Sequence, residues 1–210
     1  MRLLEWIIKM QNRMKNMKRV LFLMALIGQM TLAVAQNADY QKAVARYKNS
    51  KNVTAVATKI THKAALAKDE TTKGKLTMKQ PAEVGISMEG GKDALLMQGS
   101  TFTMTVKGKK HTTDSQKNRQ FATFQAVFES ILSGGAKDIS KFSDLSITKQ
   151  GSNLILTITP EAASKKEARR MMFTSFTLTI DTKTSELRSL RMNEKAGNYT
   201  EYKFSNFAFQ

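Results

Sequence analysis

The 210-residue chain contains no cysteine, only two prolines and two histidines, and one tryptophan. Without cysteine there is no disulfide frame, thiolate nucleophile, Cys-ligated zinc or iron–sulfur cluster. The two histidines, His62 and His111, stand far apart in polar segments without metal-type spacing. Both are expected to face solvent, and no metal or other cofactor is called for. Acidic residues are also scarce: 17 Asp and Glu against 34 Lys and Arg, a formal charge of +17. Such an excess suits nucleic acid or an anionic membrane surface as a partner, and charge alone does not choose between them. With 11 Gly and 41% hydrophobic residues, the composition excludes collagen-like and wholly disordered chains. It fits one ordinary globular domain plus a tail.

A long uninterrupted apolar run is missing too. Residues Val20 to Ala35 follow Lys18-Arg19, are broken by Gly28, Gln29 and Thr31, and close on Ala33-Val34-Ala35. That is shorter than the roughly 20 apolar residues a membrane-spanning helix needs. It has the three-part form of a secretory signal peptide, with cleavage expected after Ala35. Residues 1–35 are therefore read as a leader, Met17 as the expected true start, and 36–210 as a single domain. The leader removes six basic residues and one acidic from +17, leaving +12. An exported chain without cysteine has neither a lipid-attachment site after its leader nor a covalent staple. The domain is expected to be soluble and stabilised by its core alone.

Within the domain, Ala38 to Lys48 repeats Tyr40, Val44 and Tyr47 at helical spacing. The period then changes to two. Val53 to Ile60 and Lys73 to Lys79 read as strands, and the charged segment His62 to Thr72 reads as a loop or strand extension. Val84 to Met88, Ala94 to Met97 and Thr101 to Val106, joined by Gly-containing turns, form an antiparallel meander. Gln116 to Ser133 carries Phe121, Phe124, Val127, Phe128, Ile131 and Leu132 as a wide helical stripe and stops at Gly134-Gly135. Hairpin strands resume at Leu145 and Leu154. Glu161 to Arg170 is a charged excursion, and the segments from Met172, Leu187 and Tyr199 complete about nine strands. The fold class is α+β: a large curved antiparallel sheet covered on its concave side by helices.

Catalytic motifs fall away. Ser146-Ile-Thr-Lys149 has the Ser-x-x-Lys spacing but lies on an alternating strand, where residues three apart face opposite ways. Gly90-Gly91-Lys92 is followed by a strand and has no helix N-terminus to hold a phosphate. The aromatics alternate with Thr in apolar strands rather than with Lys or Arg, so a stacking platform for nucleic acid has little support. The chain is read as a non-enzyme; a hydrolase using carboxylates that no motif identifies is the reading from a different class.

The order of elements, with the stretch Gly74 to Met104, resembles the LolA-like family of periplasmic carriers that take lipoproteins to the outer membrane, in its divergent Bacteroidota-type versions. Gly74 stands in the family's Gly-containing strand and Gln80-Pro81 at its Lys/Arg-Pro turn. Val84 to Met88 occupies its apolar strand and Gly91-Lys92-Asp93 its hairpin. The resemblance implies an unclosed β-barrel capped by helices around an apolar cavity for acyl chains. It also implies a periplasmic location, an inner-membrane releasing complex and an outer-membrane acceptor as partners, and a monomer. Well-studied carriers hold an Arg beside aromatics on the strand after the Pro, where it helps keep a helical lid shut. Here Gly85 occupies the aligned place, between Val84 and Ile86.

An acyl carrier needs a concave apolar surface, because each buried CH₂ gains roughly 0.8 kcal/mol on leaving water. The candidate lining is Leu76, Met78, Val84, Ile86, Met88, Phe102, Met104, Phe124, Phe128 and Leu132. Adaptable Met side chains suit variable cargo. Lys107, Lys109, Lys110, Lys165, Lys166, Arg169 and Arg170 form basic clusters in turns that suit an anionic leaflet or an acidic receptor. The alternative function is a non-catalytic sensor or accessory module that binds lipid or a polyanion on the same scaffold.

Overall fold

The computed structural model describes residues 37–210. The leader, its cleavage site and the start at Met17 lie outside the described residues. Residues 39–210 form one compact unit that holds the whole sheet and its core.

Helix α1 (37–44) runs into a turn of 3₁₀-helix, Ala45–Asn49. Tyr40, Ala43, Val44 and Tyr47 recur at three-to-four spacing and are fully buried on one side. Six strands follow in a meander: β1 (Asn52–His62), β2 (Glu70–Lys79), β3 (Glu83–Met88), β4 (Ala94–Gln98), β5 (Thr101–Val106) and β6 (Lys109–Asp114). Helix α2 (Arg119–Leu132) then carries the chain to the opposite edge of the sheet. There β7 (Leu145–Gln150) and β8 (Asn153–Ile158) form a hairpin. After the short α3 (Lys165–Arg170) come β9 (Phe173–Asp181), β10 (Glu186–Glu194) and β11 (Tyr199–Phe209). The resulting antiparallel sheet has eleven strands in the order β6-β5-β4-β3-β2-β1-β11-β10-β9-β8-β7. Its end strands β6 and β7 do not pair, so the barrel stays open.

Alternation puts every second residue on the concave face. The ladder aligns these residues into cross-strand rows: Val53, Met78, Val84, Met97 and Phe102 in one, Ala55, Leu76, Ile86, Leu95 and Met104 in the next. Irregularities in the pairing of β1 with β11 and of β9 with β10 each insert an extra residue and bend the sheet. The two helices lie in the hollow, and one continuous core joins them to both halves of the sheet. Phe102 stacks on Phe121 of α2 at 4.2 Å between ring centroids, and Phe124 stacks on Phe176 of β9 at 4.5 Å. Where α2 ends, Gly134 takes φ +64, and a Cβ there would come within 2.4 Å of the Lys48 Cβ. The diglycine both stops the helix and admits the end of α1.

Three details sharpen the sequence reading: a strand count that was too low, a segment left open between loop and strand extension, and a short helix. The sheet has eleven strands rather than about nine. Its edge strand β6 is Lys-Lys-His-Thr-Thr-Asp, which has no alternation to detect because neither face of it is buried. The ends of β1 and β2 pair as far as Thr61 and Glu70, although both are polar, because the hairpin ladder continues past the core. The charged excursion contains α3, whose Ser164 hydroxyl accepts from the Glu167 N–H while the Glu167 carboxylate accepts from the Ala163 N–H. That Ser-x-x-Glu pattern is a helix-start signal present in the sequence.

Candidate functional site

At one end of the half-barrel the concave face opens into a cavity of about 460 Å³. It lies where β1, β5, β9, β10 and β11 reach the end of the half-barrel, and its size falls within the ~300–1,000 Å³ usual for ligand sites. Met104, Val106, Met172, Phe173, Met192 and Tyr202 supply apolar wall, and Leu66 from the β1–β2 connection joins them. The ladder explains Met104. It closes its row next to the edge strand β6, with His111 opposite it, and stays half-buried while Leu76, Ile86 and Leu95 of the same row are packed.

The cavity is not wholly apolar. Lys59 donates to Asp93 at 2.6 Å, and Lys63 pairs with Glu194 at 2.9 Å. Asp93 also accepts from the Lys107 N–H at 2.8 Å. Burial works against the charge on Asp93, but the hydrogen bonds and charges of Lys59 and Lys107 outweigh it and hold the carboxyl below its ordinary pKa. Burial pushes the Tyr202 hydroxyl up, and the neighbouring Asp93 charge adds to this. The wall thus carries three lysines (Lys59, Lys63, Lys107) against three carboxylates (Glu70, Asp93, Glu194), and its charges cancel.

The ten candidate lining residues divide. Leu76, Met78, Val84, Ile86, Met88, Phe102, Phe124, Phe128 and Leu132 are brought together beneath the helices, each buried in the filled core. Met104 alone of the ten faces the cavity, and it is half-buried. The candidate lining omitted Met172, Phe173, Met192 and Tyr202, although Met172 and Met192 were among the adaptable methionines. Their apolar alternation was visible, but nothing in it marks which apolar positions face a hollow.

Polar ties hold the helices down. The Gln80 side-chain amide donates to the carbonyls of Tyr47 (3.0 Å), Lys48 (2.9 Å) and Leu132 (3.3 Å), joining both helix ends to the β2–β3 turn. The Leu187 N–H donates to the Tyr47 hydroxyl at 3.1 Å, and the Gln120 side-chain Oε1 accepts from the Phe173 N–H at 3.2 Å. Gly85 takes no part. A side chain built there would point to the outer face, with Leu96 Cδ1 at 3.8 Å, because Val84 and Ile86 on either side point inward.

His62 is half-buried rather than simply solvent-facing: it bonds Asp69 at 2.7 Å and stacks on Tyr199. His111 is exposed at the cavity's edge. Lys149 of the Ser-x-x-Lys match is paired with Asp39 at 2.7 Å. All seven basic candidates, Lys107, Lys109, Lys110, Lys165, Lys166, Arg169 and Arg170, are exposed.

The model of the family described as outer membrane lipoprotein carrier protein LolA matches residues 35–210. No curated protein matches the chain by sequence. Among solved structures, a putative outer membrane lipoprotein-sorting protein domain from Vibrio parahaemolyticus is 12% identical, with a TM-score of 0.43 over 85% of this chain and 93% of that one. A LolA superfamily protein from Nitrosomonas europaea is 10% identical, with a TM-score of 0.36 over 82% and 92%. The lipoprotein LppX of Mycobacterium tuberculosis is 11% identical, with a TM-score of 0.36 over 82% and 94%.

Proposed function

The chain belongs to the LolA family of outer membrane lipoprotein carrier proteins, and from that premise we propose that it is a non-catalytic periplasmic carrier for the acyl chains of lipoproteins. The observation that carries this reading is the cavity at the uncovered end of the half-barrel, continuous with an apolar core roofed by only two helices. An acyl chain enters past Leu66 and Met172 and first meets Met104, Phe173 and Met192. Thioether side chains repack around cargo of variable shape. Longer or multiple chains reach Leu76, Ile86, Phe102 and Phe128 only if the helices lift from the sheet. The desolvation gained along the chain, roughly 0.8 kcal/mol per CH₂, drives uptake. Delivery toward the outer membrane then requires a releasing complex on one side and an acceptor on the other.

Gly85 separates this chain's lid control from that of carriers with an Arg on the strand after the Pro. In this reading the polar ties at Gln80, Tyr47 and Gln120 replace it. The Gln80 bonds are partly solvent-accessible and open at modest cost, whereas those of Tyr47 and Gln120 are buried and hold more firmly. Mass spectrometry of purified residues 36–210 tests the proposal, together with displacement of a hydrophobic dye by a diacylated peptide. Co-purifying lipid and stoichiometric displacement are expected. A chain that carries no lipid and whose dye binding no acyl peptide competes would overturn the carrier role and favour the sensor module.

A further inference from the structure

Five large apolar side chains are exposed among the described residues: Val56, Leu66, Leu96, Val106 and Met172. Val56 and Leu96 stand singly on the outer face of the sheet, which is ordinary for a protein surface. The other three share the cavity mouth, although they come from three separate parts of the chain. Leu66, at 53% exposure, is on the β1–β2 connection; Val106, at 40%, ends β5; Met172, at 48%, follows α3. Three of the five exposed large apolar side chains, including the two most exposed, Leu66 and Met172, thus meet at one end of the barrel.

Charge gathers at the same end. The cavity wall itself is neutral, but the two flanking segments are not. Lys109 stands opposite Val106 in the ladder and shares its face, with Lys110 beside it. On the other flank, α3 carries Lys165, Lys166, Arg169 and Arg170 against the single acid Glu167, immediately before Met172. None of these six cations forms an ion pair among the described residues. The end of α3 is fixed to the barrel, because the Lys195 ammonium donates to the carbonyls of Ala168 (3.0 Å) and Arg169 (2.8 Å). Three apolar tips bracketed by unpaired cations match the chemistry of a bilayer interface, where hydrocarbon lies just beneath anionic headgroups.

We infer that the mouth of the half-barrel docks directly on an anionic phospholipid bilayer, with Leu66, Val106 and Met172 inserted at headgroup depth and the β5–β6 and α3 cations on lipid phosphates. The occupant is the lipid surface itself rather than an acidic protein: a neutral cavity rimmed first by apolar tips and then by cations follows the depth profile of a membrane. Docking in this way points the cavity at the membrane and shortens the path of an acyl chain through water. The inference does not depend on what the cavity carries.

The test is sedimentation of residues 36–210 with vesicles of mixed phosphatidylglycerol and phosphatidylethanolamine, against vesicles of phosphatidylcholine alone. Binding to the anionic vesicles is expected to be at least about tenfold tighter, and to vanish at ~1 M salt, where screening shortens to ~3 Å. Arg169→Ala and Arg170→Ala are each expected to weaken it about fivefold. Leu66→Ser combined with Met172→Ser is expected to weaken it about tenfold, since both side chains lose apolar area to bury. Equal binding to both vesicle types, insensitivity to salt, or full binding by the serine double variant would each overturn the inference. So would absence from both pellets, the result expected of a protein partner. The unaltered chain's lipid and salt dependence decides the matter even where a variant misfolds. Dye displacement by acyl peptide is measured separately, so failed docking and failed cargo binding give different results.

Discussion

Lys59 and Asp93 form an ion pair of 2.6 Å inside the cavity, with the two side chains 12% and 22% exposed. They come from β1 and from the turn before β4, and Asp93 also accepts the N–H of Lys107 at the β5–β6 turn. One carboxylate therefore ties three parts of the half-barrel together at the mouth.

This pair sets a pH dependence. Because the folded pKa of Asp93 lies below its unfolded value, the stability it confers is full above the ordinary carboxylate range near ~4 and is lost as pH falls through the folded pKa. Asp138 and Asp181 are lowered too, so they act in the same direction. Thermal melts from neutral pH downward are expected to show falling stability below pH ~4. Asp93→Asn is expected to cost roughly 1–3 kcal/mol at neutral pH and progressively less in acid. A variant whose deficit stays constant with pH would contradict the assignment.

Gln80 is expected to govern helix closure. Gln80→Ala removes three hydrogen bonds and leaves the Tyr47 carbonyl with the Ser50 N–H alone and those of Lys48 and Leu132 without the amide. A stability loss of about 1–3 kcal/mol is expected, with faster uptake of a hydrophobic dye than by the unaltered chain. Slower uptake would show that the amide positions the entrance instead of holding it shut.

Met104 and Phe124 separate wall from core. Met104→Gln keeps the side chain's length at a half-buried site, so it is expected to preserve folding and weaken acyl-peptide binding. Phe124→Ala opens a void beneath the helices and is expected to cost about 3–5 kcal/mol in denaturant unfolding. Unchanged peptide binding by folded Met104→Gln would remove Met104 from the lining.

Gly85→Arg tests the departure from the Arg-holding carriers. The new side chain projects to the outer face, where the nearest side-chain atom, Leu96 Cδ1, is 3.8 Å from the Cβ position. Stability within about ±0.5 kcal/mol and unaltered dye uptake are expected. A slowed uptake would mean that position 85 reaches the helices after all.

The inward rows of β3, β4 and β5 and the stripe of α2 were legible because alternation and helical spacing directly report which faces are buried. Strand β6 and helix α3 were not, because exposed polar segments carry no such pattern. The ten candidate lining residues were chosen as apolar faces, and sequence treats every apolar face alike. Whether an apolar residue is filled core or cavity wall depends on which distant segments pack over it: Leu76, Ile86 and Met104 share one row, yet only Met104 lines the cavity.

By itself the sequence determined the antiparallel meander, the covering helices, the exclusion of thiol and cysteine–metal chemistry, and the strong positive charge, since all of these follow from local spacing and composition. Only the tertiary structure decided that Phe102 is packed while Met104 opens on a hollow, and that Leu66, Val106 and Met172 meet. Each of these depends on which distant segments the closing of the sheet brings to one end, and no local pattern encodes that distance.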